Sequence, residues 1–214
     1  MKVGIIGLGR FGFNVANTLT ERGIEVLAID SNEAIIASVR DVVTQAVCLR
    51  VADEASLRSV GIEEMDVVIV AMGEHFAQSI LITAILKKKL HVKRVIARAV
   101  NPIHREILML IGANETIIPE EDIGIRLAEE LSSPFVKFFR ITKSFSLGQM
   151  EAPESFVGRE VSKLSLFDTY KIRCVGLKKD DDFVSIDHSY VIKNGDMLMF
   201  AGQEKDLKKI TKLH

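Results

Sequence analysis

A spaced set of glycines follows the first apolar run of this chain. Residues 3–6 form a strand-like apolar run, and Gly7, Gly9 and Gly12 come directly after it, ahead of a helix-like segment. A strand, a glycine-rich turn and a helix in this order are typical of a site that holds nucleotide phosphate on a helix N-terminus. The pattern therefore predicts a phosphate-binding turn, and the alternative is a glycine-rich turn without a ligand.

Each glycine of the motif has a separate role in such a site. Gly7 makes the tight turn, Gly9 lets phosphate approach the backbone, and Gly12 lets the helix pack closely on the strand. The second apolar run, residues 25–29, ends at Asp30, whose carboxylate is placed to accept hydrogen bonds from both ribose hydroxyls. Because this charge repels a 2′-phosphate, we expect NAD, ADP or ATP rather than NADP. A helix N-cap role for Asp30 is an alternative that can coexist with ribose binding.

Two arginines add positive charge to the predicted site. Arg10 stands inside the glycine motif, where ordinary dinucleotide sites need only small or apolar residues. Its guanidinium is suited to charge-assisted hydrogen bonds with phosphate, worth roughly 1.5 to 3 kcal/mol. Arg98, at the end of the fifth predicted strand, lies on the ligand-binding edge of the sheet and is also within reach of phosphate. The alternative for Arg10 is exposure on the first helix without a ligand.

Strand-like and helix-like segments alternate through residues 1–131. The predicted strands are 3–6, 25–29, 45–49, 67–71, 94–99 and 115–118, and helices begin near Arg10, Ser31 or Asn32, Glu74, Pro102 and Pro119. This alternation predicts an α/β fold with a doubly wound, Rossmann-like parallel sheet and helices on both faces.

Apolar spacing predicts the buried faces of two helices. In the helix at 74–89, Ile82 and Leu86 lie on a second apolar face, and the core stripe is formed by Ala77, Ile80, Leu81, Ala84 and Ile85. A helix that is apolar on two faces is buried on both, so we expect Ile82 and Leu86 near a subunit contact. The predicted inward positions of the helix at 119–131 are Ile123, Leu127 and Leu131.

The pattern changes after residue 131. Residues 132–142 are predicted to connect two domains, and this stretch and its edge contain Phe135, Phe138, Phe139 and Phe145. Because phenylalanine rings favour burial, we expect this connection to be packed. Its rings either contact a second copy of the chain or fill the seam between the chain's own two domains. Residues 143–214 predict a small α+β C-terminal domain, with strands at 145–150, 172–177, 183–186 and 197–201, a helix near 161–166, turns at 180–182 and 193–196, and a last helix from Glu204.

Composition bears on several classes of function. The net charge of −1, from 28 basic and 29 acidic residues without long runs of one sign, gives no support for a nucleic-acid partner. Cys48 and Cys174 have no metal-ligand spacing and predict buried thiols of a reducing compartment. No apolar run approaches the length of a membrane span, so we expect a soluble, cytosolic protein.

The histidines near the predicted ligand edge lack evident catalytic partners. His75 and His104 have no carboxylate at a fixed spacing and are interpreted as partly exposed polar residues. We therefore predict no catalytic residue and a site that binds without turnover. An NAD-dependent oxidoreductase with a minimal substrate domain is the alternative from the enzyme class, although the C-terminal domain is small for that role. A DNA-binding regulator of the same fold would need clustered basic residues, which the sequence does not show.

Several motifs together resemble the RCK (KTN) regulatory domain family. They are the glycine motif with Arg10, the strand end at Asp30, the segment Ala71-Met72-Gly73, and Ile-Gly-Ala-Asn at 111–114 followed by Ile-Ile-Pro-Glu at 117–120. The C-terminal part resembles the small domain that accompanies the RCK domain. One copy of each domain is similar to the gating subunit of Ktr-type potassium uptake systems rather than to the longer tandem Trk subunit.

The resemblance implies homodimers and an octameric ring on the cytoplasmic face of a potassium-translocating membrane protein. It implies that ATP or ADP, or in relatives NAD(H), sets the shape of this ring. By position, the glycines approach the phosphates, Asp30 holds the ribose, Arg10 reaches a terminal phosphate, and Glu120 helps to bind a cation, expected to be divalent. The other residues predicted to line the nucleotide site are Phe11, Ser31, Arg50, Ala71, Gly73 and Arg98.

Two stretches depart from the family's pattern. After the third strand the family usually has Gly-Asp-Ala-Thr or Asn-Ala-Thr, whereas this chain has Arg50 followed by Val-Ala-Asp. A basic side chain thus replaces an acid or amide at the adenosine end of the site. Some relatives bind cyclic di-AMP in the C-terminal domain through an Arg and a Pro. The matching positions here are Phe167 and Ile186, so that ligand is not expected.

Overall fold

The computed structural model describes residues 1–73, 75–180 and 182–213, which divide into two compact units. Unit 1 is Met1–Asp122, and unit 2 begins at Ile123, so the division falls earlier than the domain end predicted at residue 131. Glu74, the predicted start of a helix, and Asp181, in a predicted turn, lie outside the described residues. In the described ranges, every helix is too short or too polar to cross a membrane.

Unit 1 is built on a six-stranded parallel sheet with the order β3-β2-β1-β4-β5-β6. Its strands are β1 Lys2–Ile6, β2 Glu25–Asp30, β3 Gln45–Cys48, β4 Val67–Val70, β5 Arg94–Arg98 and β6 Glu115–Ile117. Its helices are α1 Arg10–Glu21, α2 Glu33–Val39, α3 Glu54–Arg58, α4 Phe76–Lys88, α5 Pro102–Leu110 and α6 Pro119–Ser132, the last of which continues past Asp122. The strand order reverses between β1 and β4, which confirms the doubly wound, Rossmann-like fold.

The central strands of this sheet are buried on both faces. Alternate residues of β1 enter different apolar clusters, with Ile5 in one and Ile6 in the other. This follows from the two-residue period of a strand, which sends neighbouring side chains to opposite faces. Helices cover both faces of a parallel sheet, so its strands are nearly continuous apolar runs.

The most buried face of helix α4 differs from the stripe that its apolar spacing predicted, although Ile80 and Ile85 of that stripe are partly buried against the core. Ile82 and Leu86, expected near a subunit contact, are buried in the core of unit 1, whereas Leu81 of the predicted core stripe is exposed. The buried face also contains Ser79 and Thr83, and Thr83 Oγ1 donates to the Ser79 carbonyl oxygen at 2.8 Å. The prediction for Leu81 was wrong because Thr83, whose hydroxyl bonds back to its own helix, can be buried, and apolar spacing does not count such a residue.

Helix α6 exposes the side chains that were predicted to face inward. Ile123, Leu127 and Leu131 are all exposed, and the helix has no buried residue. Their spacing does place them on one side of the helix, so α6 is amphipathic as predicted. The described residues leave this side open, and the prediction of burial within the chain was therefore wrong.

Unit 2 contains a five-stranded antiparallel sheet with the order β10-β9-β11-β8-β7. Its elements are β7 Lys137–Arg140, β8 Phe145–Glu151, α7 Leu166–Tyr170, β9 Arg173–Lys179, β10 Asp182–Val184, β11 Met197–Gln203 and α8 Glu204–Ile210. This confirms the small α+β part of the chain. Two local predictions were wrong: residues 137–140 pair with β8 instead of forming a connection, and residues 161–164 form a 3₁₀ turn ahead of α7.

The phenylalanine-rich segment contributes to the core of unit 2. Phe135 is buried there, with its ring against the backbone of Gly148, where an added Cβ would lie 2.8 Å from the ring. Phe138 stacks on Phe135 with 5.9 Å between ring centroids, while Phe139 and Phe145 are exposed. Burial of Phe135 thus needs neither a second copy of the chain nor a seam between domains.

The two cysteines differ in environment, and both are free thiols. Cys48 ends the edge strand β3 and is exposed, so its predicted burial was wrong. Cys174 is largely buried on β9, and this burial raises the pKa of its thiol to about 11.

Candidate functional site

A cleft of about 1120 Å³ opens at the carboxyl edge of the parallel sheet in unit 1. Its walls come from the segments that follow β1, β2, β3, β4 and β5, together with the first turn of α6. In doubly wound sheets this edge binds ligands at the point where the strand order reverses. A cleft of this volume has room for a nucleotide or a dinucleotide.

The cleft brings together eleven of the twelve residues predicted for the site. They are Gly7, Gly9, Arg10, Phe11, Asp30, Ser31, Arg50, Ala71, Gly73, Arg98 and Glu120. The twelfth, Gly12, lies on α1 behind the lining. The contact of these residues with a ligand stays a prediction.

The three motif glycines occupy three different environments. Gly7 has a φ of +92°, and its N–H donates to the Ile29 carbonyl oxygen at 2.8 Å, which ties the turn to β2. A Cβ added at Gly9 would meet no atom within 4 Å, so the backbone there is open to a ligand. A Cβ added at Gly12 would collide with the Gly7 carbonyl oxygen, because α1 packs directly on the turn.

The start of α1 offers free backbone donors to the cleft. Gly9 is the N-cap residue and supplies no side-chain hydrogen bond, and the first turn of the helix contains no acidic residue. The first N–H groups of a helix have no partner within the helix, and the helix dipole adds a partial positive charge at this end. This end of α1 is therefore suited to an anion.

Asp30 joins the glycine turn to the start of α2. Its Oδ2 accepts from the Leu8 N–H at 2.7 Å, and its Oδ1 accepts from the Asn32 N–H at 2.8 Å. The N-cap of α2 is Asn32, whose side chain accepts from Ala34 N–H at 2.9 Å, so the alternative N-cap role does not fall to Asp30. A carboxylate has about four lone-pair positions, and Asp30 keeps acceptor capacity for ribose hydroxyls.

Arg98 and Glu120 form an ion pair in the lining of the cleft, with 2.5 Å between Nη2 and Oε1. The Arg98 side chain is 20% exposed and that of Glu120 is 67% exposed. The guanidinium lies against Gly73, where an added Cβ would be 2.8 Å from its Cζ. Arg98 Nε is buried without a hydrogen-bond partner among the described residues. A side chain at position 73 would therefore displace Arg98.

Positive charge exceeds negative charge in the lining. Three guanidinium groups, those of Arg10, Arg50 and Arg98, face two carboxylates, those of Asp30 and Glu120. Arg10 and Arg50 are exposed, and within the described chain neither forms an ion pair. A concave surface lined with excess charge of one sign concentrates the field, so this cleft attracts anions.

Gln78 is a lining residue that the sequence analysis missed. Its Nε2 donates to the Val51 carbonyl oxygen at 2.7 Å and so joins α4 to the segment that follows β3. A single glutamine in a helix belongs to no motif. The signal available was its position in the first turn of the helix after β4, which places it near the carboxyl edge of the sheet.

The two histidines near this edge differ in exposure. His75 is exposed and lines the cleft, whereas His104 is fully buried, contrary to the prediction. His104 Nδ1 accepts from the Val100 N–H at 3.3 Å, and its ring centroid lies 4.2 Å from that of Phe76. Burial lowers the pKa of His104, which favours the neutral ring.

A cation at this cleft would need oxygens from a ligand. Over residues 1–73, 75–180 and 182–213, no three His, Cys, Asp or Glu side chains are grouped as metal ligands. Glu120 offers one carboxylate beside the cleft. Mg²⁺ commonly binds through one or two carboxylates together with phosphate oxygens, so Glu120 fits a divalent cation only when a phosphate completes the site.

The chain matches known proteins over nearly its whole length. The TrkA-N domain family matches residues 3–119. The chain is 32% identical over 210 residues to the Ktr system potassium uptake protein C of Bacillus subtilis, covering 97% of this chain and 95% of that relative. It is 31% identical over 207 residues to protein A of the same system and organism, covering 96% and 93%.

Solved structures share the fold at low identity. The GsuK RCK domain superposes with a TM-score of 0.67 at 15% identity over 99% of this chain and 47% of that one. The GsuK channel bound to NAD gives 0.51 at 19% identity, over 99% of this chain and 38% of the other. This chain thus spans less than half of either GsuK chain. The two structures show a shared fold, and the two relatives above confirm the resemblance to Ktr-type potassium uptake proteins. Because the family model matches residues 3–119, the chain belongs to the TrkA-N domain family.

Proposed function

We propose that this chain is a nucleotide-sensing regulatory subunit that gates a potassium-translocating membrane protein and is not itself an enzyme. One observation supports this most: a cationic cleft around a helix N-terminus, in a chain that aligns with 95% of a Ktr potassium uptake protein. We place the protein in the cytoplasm, peripheral to the membrane through its partner. The oxidoreductase alternative is not favoured, because the relatives that cover the chain are potassium uptake proteins.

The proposed ligand is ATP or ADP, with NAD(H) as the alternative. The glycine turn and the α1 N-terminus would receive the phosphates, Asp30 the ribose, and Arg50 would lie toward the base. Excess positive charge in the lining favours a ligand with several phosphates, and Asp30 disfavours a 2′-phosphate. The solved GsuK channel that is bound to NAD supports NAD(H) as the alternative. Within this proposal, residues 1–131 are the nucleotide-binding domain and residues 143–214 the C-terminal domain.

Sensing requires that the ligand favour one conformation over another. A full switch needs about a 10⁴-fold preference, or about 5.5 kcal/mol. ATP and ADP differ by one phosphate, so the groups that contact the terminal phosphate must supply much of this preference. We assign that contact to Arg10, which is exposed at the start of α1, and to a divalent cation shared between Glu120 and the phosphates.

The proposed assembly is a homodimer that builds an octameric ring. Helix α5 supports it through exposed apolar side chains, with Ile103 68% and Leu110 83% exposed. On α6, the open side formed by Ile123, Leu127 and Leu131 is a second apolar surface without a cover among the described residues. Exposed apolar surfaces of this kind are typical of protein–protein contacts.

Mass spectrometry of the nucleotide retained by the purified protein, with light scattering on the same sample, tests this proposal. We expect a stoichiometric adenine nucleotide and a mass well above that of a dimer. A monomer in the presence of ATP, ADP and NAD would contradict the ring. A protein that neither retains nor binds any of these nucleotides would contradict the sensing function.

A further inference from the structure

Arg98 holds the carboxylate that a cation would need. We propose that phosphate binding in the cleft draws Arg98 away from Glu120, and that the freed Glu120 then accepts a divalent cation. Nucleotide and cation would therefore bind cooperatively, with Arg98 suppressing cation binding to the empty cleft. This inference rests on the proposed function, because it assumes that the ligand carries phosphate.

The contacts of Arg98 leave donors for a phosphate. One nitrogen, Nη2, donates to Glu120, and Nη1 is the guanidinium nitrogen nearest to Gly73 in the cleft lining. Nε is buried without a partner among the described residues. A guanidinium has five N–H donors in a planar fork that matches phosphate oxygens, so a phosphate beside Gly73 would accept hydrogen bonds from Nη1, which does not donate to Glu120.

Breaking the ion pair would be less unfavourable for Glu120 than for Arg98. Glu120 is 67% exposed and would be hydrated on release, whereas the Arg98 side chain is only 20% exposed. Within the described chain, Glu120 is the only carboxylate that pairs with Arg98. Removing one partner from a mostly buried charge is unfavourable unless another anion replaces it. Arg98 is therefore expected to exchange anions rather than to stand alone.

The same geometry explains why the empty cleft would reject a cation. A divalent ion at Glu120 would stand beside the Arg98 guanidinium, and like charges a few ångströms apart repel. Once phosphate neutralises Arg98, its own oxygens complete the coordination of the ion. Glu120 is also the α6 residue that lines the cleft. Ligand binding in the cleft would thus change the contacts of Glu120 in the first turn of α6.

Calorimetric titration of the full chain with ADP, once in EDTA and once in Mg²⁺, separates this exchange from simple electrostatics. In EDTA, we expect Glu120→Gln to bind ADP at least threefold more tightly than the wild type, because Arg98 is no longer held. Mg²⁺ should tighten ADP binding at least tenfold in the wild type and have little effect in Glu120→Gln. The matched control, Glu121→Gln, changes an exposed acid of the same turn that pairs with Arg105 at 3.5 Å, and it should behave as the wild type.

A double variant tests the role of Arg98 directly. The gain from Glu120→Gln in EDTA should disappear in an Arg98→Gln background. Unchanged or weaker ADP binding by Glu120→Gln in EDTA, an equal gain in Glu121→Gln, or a gain that persists without Arg98 would overturn the exchange. If Arg98→Gln does not fold, the comparison of Glu120→Gln with Glu121→Gln still tests the exchange. Absence of binding of ATP, ADP and NAD by the wild type in both buffers would contradict the proposed function instead.

Discussion

Unit 1 and unit 2 both enclose apolar cores, but their arginines differ in whether they form ion pairs with nearby carboxylates. In unit 2, Arg140 Nη2 contacts both Glu129 at 2.7 Å and Glu204 at 3.2 Å. In unit 1, Arg10 and Arg50 line the cleft without an ion pair in the described chain, beside a helix start without a side-chain cap. Arg140 is therefore neutralised by two carboxylates of its own unit, whereas Arg10 and Arg50 of unit 1 have no such partner in the described chain.

The largest expected effect concerns unit 2. Phe135→Ala removes a ring that is buried against Gly148, so we expect a loss of about 3–5 kcal/mol in the free energy of unfolding of this unit. Phe139→Ala is the matched control, since Phe139 is exposed and its loss should cost less than about 1 kcal/mol. Hydrogen exchange of amides in β8 and in β1 measures both units at once. Equal loss of protection in the two strands would contradict the assignment of Phe135 to the core of unit 2 alone.

A smaller effect is expected at the glycine turn of unit 1. Gly12→Ala places a Cβ against the Gly7 carbonyl oxygen, so α1 must shift, at a cost of about 1–3 kcal/mol. Nucleotide affinity should fall in the same variant, because the turn and the helix start move together. Gly124→Ala is the control: an added Cβ there meets no atom within 4 Å, and alanine favours the helix by about 1 kcal/mol. Denaturant titration and calorimetry of both variants check these expectations, and a stable, nucleotide-binding Gly12→Ala would contradict the packing role.

The smallest expected effect is a dependence on pH in unit 1. Burial lowers the pKa of His104 in the folded state, so between that pKa and the ordinary value of about 6.5 the unfolded chain binds more protons. The free energy of unfolding of unit 1 should therefore fall as the pH decreases below about 6.5. His104→Gln should flatten this dependence. Denaturant titrations at several pH values from 7.5 to 5 measure it, and equal slopes in wild type and variant would contradict the account.

The predicted fold and the gathering of the site residues came from features that are local in sequence. An apolar run, a turn glycine and an acid at the next strand end fix β1, the glycine turn and Asp30, and parallel strands bring their carboxyl ends to one edge. Arg50 follows β3 and Arg98 ends β5, so the parallel topology alone places both side chains at the same cleft.

The failures came from features that depend on what packs against a segment. Thr83 is buried on α4 with its hydroxyl bonded to the Ser79 carbonyl oxygen, and Ser79 is buried beside it, whereas Leu81 of the predicted stripe is exposed. Phe135 stands in a segment that resembles a connection, yet it fills the core of a sheet whose strands come from later in the chain. The Arg98–Glu120 pair joins residues 22 positions apart, and no sequence motif predicts it.

The proposed function requires that the arginines of the unit 1 cleft that are unpaired in the described chain recognise the phosphates of a nucleotide. Calorimetry of the full chain with ATP and with ADP, for the wild type and for Arg10→Ala, tests it most directly. Arg22→Ala is the control, because Arg22 is exposed at the opposite end of α1. We predict that Arg10→Ala weakens ATP binding by at least tenfold and weakens ADP binding less, as expected for loss of a charge-assisted hydrogen bond of roughly 1.5 to 3 kcal/mol. Equal ATP affinities of the wild type and Arg10→Ala would contradict the claim.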